Sequence, residues 1–119
     1  MANEIHTNVS LRVEKGGAKV NRVESVSIDM TGESYTSGVQ EITISGGEVL
    51  IESTELGTTG YVFIKNLDAI NFVTFGSNAT ANHTIKLKAG ECALFRANGA
   101  IYGLADTAVC NVEYIIIED

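Results

Sequence analysis

The chain has no proline, no tryptophan, two histidines, two cysteines and only eight basic residues against fifteen acidic ones. Each scarcity argues against a class of function. Without tryptophan, a stacking platform for sugars loses the ring best suited to build it. His6 and His83 lie far apart, one near the start and one in a polar stretch. A nucleophilic site needs a histidine oriented by a carboxylate and facing its nucleophile, and no such pairing is legible. No CxxC or Cys/His cluster offers zinc spacing, and no D-x-D run resembles a calcium loop. GxGxxG and Walker patterns are missing too, so nucleotide binding has no support. Glu52, Glu55 and Asp68 read as solvated loop acids rather than a catalytic pair. No catalytic residue, metal ligand or cofactor is assigned, and the expectation is a non-enzyme.

The shortage of bases leaves a net charge of -7. Affinity for nucleic acid comes from Lys and Arg neutralising phosphates, so nucleic acid is not an expected partner. No apolar run approaches the roughly 20 residues of a membrane helix, and no membrane contact is expected. The opening MANEIHTNVS has neither a basic n-region nor an apolar h-region, which points to synthesis in a cytoplasm. Cys92 and Cys110 sit in apolar strand-like runs and read as buried free thiols. A disulfide between them stays open if their strands are neighbours. The absence of proline leaves edge strands to be protected by charge, by glycine, or by pairing with another subunit.

What the chain does contain is strand after strand. At 119 residues it makes one domain, with residues 1–8 as an N-terminal arm and 9–119 as the folded part. Val9, Leu11 and Val13 alternate into Lys15-Gly16-Gly17-Ala18, a tight-turn signal. Val26, Ile28 and Met30 alternate before the polar loop Gly32 to Gly38. Ile42 and Ile44 precede Ser45-Gly46-Gly47-Glu48, with Val49 and Ile51 after it, which reads as a second hairpin. Glu52 to Gly60 is a loop, Tyr61 to Lys65 a strand, and Asn66 to Ala69 a turn into Phe72–Phe75. Gly76 to His83 is another loop. Ala89-Gly90-Glu91 breaks the alternation between Leu87 and Cys92, and Asn98-Gly99 signals a third hairpin. No segment sustains a helical period. About eight to ten short antiparallel strands imply an all-β sandwich, jelly roll or barrel. Tyr61, Phe63, Phe72, Phe75, Phe95, Tyr102 and Tyr114 read as core, and Tyr35 as the aromatic left for an exposed contact.

Three phrases stand out in the second half: FIKNLDAINFVTFG, LKAGECALFRA and the closing IYGLADTAVCNVEYIIIED. They follow the patterns I-x-N-L, F-V-x-F/I-G, L-x-A-G-E into L-F/L-R, and a terminal V-E-Y-x-I-x-E. From about Tyr61 to Asp119 the chain resembles a type of small virion protein from tailed bacteriophages. The resemblance implies a single-domain β-sandwich of jelly-roll type, made in the host cytoplasm and carried on the capsid surface. Its implied role is a decoration (cement) protein that stabilises the lattice of the major capsid protein, acting as a homotrimer at a symmetry axis. The alternatives are a tail, neck or fibre-associated component, or a carbohydrate or host-surface binding module. Contacts are expected from the arm (Ile5, His6), the Gly32–Gly38 loop (Glu33, Tyr35) and the Glu52–Gly60 loop (Glu55, Leu56).

Overall fold

The computed structural model describes residues 4–45, 48–49, 57–78 and 83–119, and among them the chain is all-β with no helix. It divides into two compact units, Met1–Thr31 and Gly32–Asp119. The sequence reading made no such division and set only residues 1–8 apart.

The first unit is one long hairpin. Strand β1 (Ile5–Lys15) pairs with β2 (Ala18–Ile28) in an unbroken register from Ile5↔Ile28 to Lys15↔Ala18. The turn between them has φ of 58° at Gly16 and 87° at Gly17. Two consecutive positive φ values define the hairpin turn whose twist matches that of the strands, and only glycine takes them without cost. Directly opposed residues share a face. One face therefore carries Val9, Leu11, Val13, Val20 and Val26 with Arg22 and Glu24, which form an ion pair at 2.7 Å. On the other face His6 meets Ser27 at 2.9 Å, Ser25 donates to Asn8, and Glu14 lies near Arg12 and Lys19. Strand β1 thus already includes Ile5 to Asn8, which the sequence reading placed in the arm.

The second unit is a sandwich of two four-stranded sheets. Its strands are β3 (Tyr35–Ile42), β4 (Glu48–Val49), β5 (Thr59–Asn66), β6 (Val73–Gly76), β7 (Ile85–Leu87), β8 (Cys92–Arg96), β9 (Tyr102–Ala105) and β10 (Cys110–Glu118). One sheet has the order β3-β10-β5-β8 and the other β4-β9-β6-β7, and neither closes on itself. The sandwich expectation holds. Among the described strands only β6 and β7 follow one another within a sheet; every other successive pair lies in opposite sheets. Two expected hairpins are therefore corrected. β4 pairs with β9 rather than β3, and Asn98-Gly99 carries the chain from β8 in one sheet to β9 in the other. Residues 46–47 and 50–56, where the reading also placed turn and strand, lie outside the described residues. The loop expected over Gly32–Gly38 is cut short at Tyr35, because Tyr35, Thr36 and Ser37 pair with Ile117, Ile116 and Ile115.

The core forms where the sheets face each other. Ile42, Val62, Ile64, Val112 and Ile116 from one sheet meet Val73, Phe75 and Leu87 from the other. Phe75 is fully buried opposite Gly103 of β9. A Cβ at Gly103 would lie 2.8 Å from the Phe75 ring and 3.2 Å from Ile42, so the glycine makes room for the ring. Several expected core aromatics lie elsewhere. Tyr61, Phe63, Phe72 and Tyr102 are only half-buried; Tyr61 lies beneath Arg96 at 4.6 Å and Phe72 beneath Lys86 at 4.1 Å.

Candidate interaction surface

Among the described residues those that could carry chemistry are dispersed. His6 bonds a serine, and His83 Nε2 donates to the Asn78 carbonyl at 2.6 Å. Among the described residues no three of His, Cys, Asp and Glu converge where they could share a metal ion. Cys92 is exposed and Cys110 buried, and both are free. The expectation of two buried thiols fails for Cys92, whose side of β8 faces away from the core. β5 separates β8 from β10, so the strands of the two cysteines are not neighbours. Burial, then the nearby Asp68 charge, raises the pKa of the Cys110 thiol. A shallow groove lined by Gly76, Thr84, Ile85, Phe95, Arg96 and Ile101 opens to solvent and gathers no acids or histidines.

The phrases that carry the resemblance turn out to be joints of the sandwich. Asn66, fully buried at the end of β5, donates from its side chain to the carbonyls of Asn71 (2.9 Å) and Leu87 (3.1 Å). Its side-chain oxygen accepts from Asp68 N–H at 2.9 Å. Its backbone donates to Glu91 (2.9 Å) and accepts from Gly90 (3.1 Å). The Asn of I-x-N-L thus holds the Gly-Glu of L-x-A-G-E, clasping two sheet-to-sheet crossings together. Asp68 completes the turn by accepting from the N–H groups of Asn71 (2.6 Å) and Ile70 (3.0 Å). Those two bonds hold its carboxyl below the ordinary value.

The terminal V-E-Y-x-I-x-E has a similar use. The Glu118 carboxylate accepts from Glu33 N–H at 3.0 Å and Gly57 N–H at 2.8 Å, which lowers its pKa. Its own N–H donates to Ser34 at 2.8 Å, and Asp119 ties to Thr58 N-terminal to β5 and to Arg96 at 2.8 Å each. The chain end therefore latches the approaches to β3 and β5.

Two sheet faces are apolar at the surface. On the outer face of the β3-β10-β5-β8 sheet the registers align Ser37, Ile115, Phe63 and Leu94 in one row. Val39, Glu113, Lys65 and Cys92 form the next row. Tyr35 and Ile117 stand beyond them, and Tyr35 and Val39 are 70% and 62% exposed. The hairpin offers a second apolar face, where Leu11 alone is 59% exposed. These two faces are the candidate contact surfaces.

Of the expected contact residues, Tyr35 lies on this outer face, at the start of a strand instead of in a loop. Glu33 is exposed, with its N–H engaged by Glu118. His6 is exposed on the polar hairpin face, and Ile5 is buried at 9% exposure. Glu55 and Leu56 lie outside the described residues. Val39, Phe63, Leu94 and Ile115 were missed, although a signal was present. Runs such as Ile115-Ile116-Ile117 lack alternation, the mark of a strand covered on both faces. No protein-family model and no curated protein matches the chain.

Proposed function

We propose that this protein is a non-enzymatic structural component of a tailed-phage particle, a decoration protein that binds and stabilises the major capsid lattice as an oligomer. The observation that carries the reading is the apolar outer face of the β3-β10-β5-β8 sheet, a contact surface on a unit whose polar groups are spent on its own joints. A cement protein needs rigidity, high solubility and an interface, and a chain with net charge -7 and latched crossings fits that need.

The jelly-roll form is supported by strand order. Counted from β3, the sheets run first-eighth-third-sixth and second-seventh-fourth-fifth. Two Greek keys folded over each other arrange eight strands in this way, and capsid and lectin domains use that architecture. The phrases resembling phage virion proteins fall on the joints of the sandwich, so they support the fold reading, and the role reading follows from it by analogy. Stabilisation would act by mass action, since a protein that binds only the assembled lattice opposes its rupture.

The test is to add purified protein to capsids that lack it, then sediment and image them. Saturable binding at a fixed copy number per capsomer, with a shell more resistant to heat, is the expected result. Protein left in the supernatant defeats the proposal. Binding confined to one vertex or to the tail replaces it with the tail or neck role.

A further inference from the structure

We infer that the hairpin of one copy docks, apolar face down, on the outer face of the β3-β10-β5-β8 sheet of a second copy. This specifies the self-association in the role above, yet it rests on surfaces of this chain alone and does not depend on a capsid.

Among the described residues both surfaces are open to solvent. Every residue from Asn8 to Ser27 is exposed, and an isolated two-stranded hairpin is marginal in water. Its apolar face needs something to lie on. The outer sheet face presents Tyr35, Val39, Ile115 and Leu94 to solvent, beside half-buried Phe63. An aligned packing of one sheet on another is the ordinary way to bury two such faces.

Charge selects the second copy as the occupant. The hairpin strands carry Arg12, Lys15, Lys19 and Arg22 against Glu14 and Glu24, half of all the bases in the chain. Gly32–Asp119 has four bases against eleven acids. The apolar hairpin face carries Lys15 beside the Arg22–Glu24 ion pair, while the outer sheet face carries Glu41 and Glu113 with Lys65, so the two faces have opposite net charge of one each. Opposite potentials of this kind speed encounter and fix register.

Donor and acceptor are different surfaces, so the contact runs head to tail; it closes into a ring where the rotation allows and otherwise continues as an open filament, unless two chains exchange hairpins reciprocally. Each copy then gives one hairpin and receives one. An odd-numbered ring such as a trimer satisfies this as well as an even one.

Complementation of two variants tests the inference. V13S/V20S removes the hairpin side of the contact, and L94K removes the sheet side at a position outside the core. Sedimentation velocity on the unaltered protein should show a closed oligomer. Each variant alone should be monomeric, with association weakened at least about tenfold. Mixed, they should form a one-to-one dimer, because each still has the half that the other lost. Recovery on mixing also shows that both variants fold. Cys92, on the same sheet face, reports independently: its alkylation should slow on assembly and recover in the L94K variant.

Three results would overturn the inference. An unaltered protein that stays monomeric at high concentration is the first, whether Cys92 then reacts fast or slowly. A hairpin variant that assembles as well as the parent is the second. Variants that fail to pair on mixing, while circular dichroism shows both folded, are the third. None of these results bears on capsid binding, which is measured separately.

Discussion

The hairpin and the sandwich use the same residues to different ends. β2 places Val20, Val23 and Val26 along its length, and β10 places Val112, Tyr114 and Ile116. In β10 those side chains are buried because the β4-β9-β6-β7 sheet lies over them; in β2 all three are exposed. The hairpin has the more regular local structure, with an unbroken register and a turn whose φ values suit it. The sandwich has shorter strands and, among the described ones, six changes of sheet. Regularity and burial are thus separate properties. A strand pattern reports which face is apolar, and only a neighbour decides whether that face is covered.

The sharpest way to expose the difference is to remove the largest fully buried side chain. Phe75→Ala should cost about 3 to 5 kcal/mol, because the facing sheet cannot collapse into the space and Gly103 offers no side chain to fill it. Against a total of roughly 5 to 15 kcal/mol for a domain, that brings the sandwich close to unfolding. Denaturant titration would measure it, and a loss under about 1 kcal/mol would mean that the sheets are not packed on that ring.

Asn66→Ala comes next, at about 2 to 3 kcal/mol. It leaves Asp68 N–H and the carbonyls of Leu87 and Asn71 without the bonds that the side chain supplied. Faster amide exchange at Gly90 and Asp68 would locate the damage at the two crossings.

These costs rest on contacts that were only partly legible in the residues. The Gly16-Gly17 turn could be read, since a two-residue turn is a local event set by φ. The partners of Ile42 and Asn98-Gly99 could not. A glycine turn has the same composition whether the next strand returns to its own sheet or crosses to the opposite one. Long-range pairing makes that choice. It also drew Tyr35 out of an apparent loop, where Gly38 now lies opposite Tyr114. The candidate surface was hidden for a related reason. Ile115 and Phe63 stand next to residues that truly are core, and a run without alternation reads as buried on both faces even when one face is open to solvent.

The joints also predict a pH response. Bonds from backbone N–H groups lower the pKa values of Glu118 and Asp68, so both hold their charge more readily in the folded chain than in the unfolded one. A lowered folded value means that the stabilisation is complete above the unfolded pKa, about 4 for a carboxylate, and is lost as pH falls through the folded one. Melting temperature should therefore hold steady from neutral pH to about 5 and decline below about 4. Glu118→Gln should flatten that decline while lowering the plateau slightly. If the variant keeps the full slope, the latch at the chain end does not titrate as its bonds require.

The smallest effect lies on the other side of the comparison, and it depends on concentration. Val20→Ala removes two methyl groups from a site that is already exposed, so in dilute protein it should change stability by no more than about 0.5 kcal/mol. Val112→Ala makes the same chemical change at a buried site of β10, and should cost more at every concentration. If the hairpin face is covered by a second copy, the Val20 effect grows as the protein is concentrated, because association adds stability by mass action and the variant forfeits part of it. Denaturant titrations of both variants at two protein concentrations separate the cases. A Val20 cost that stays flat while the parent assembles would place the contact on some other surface.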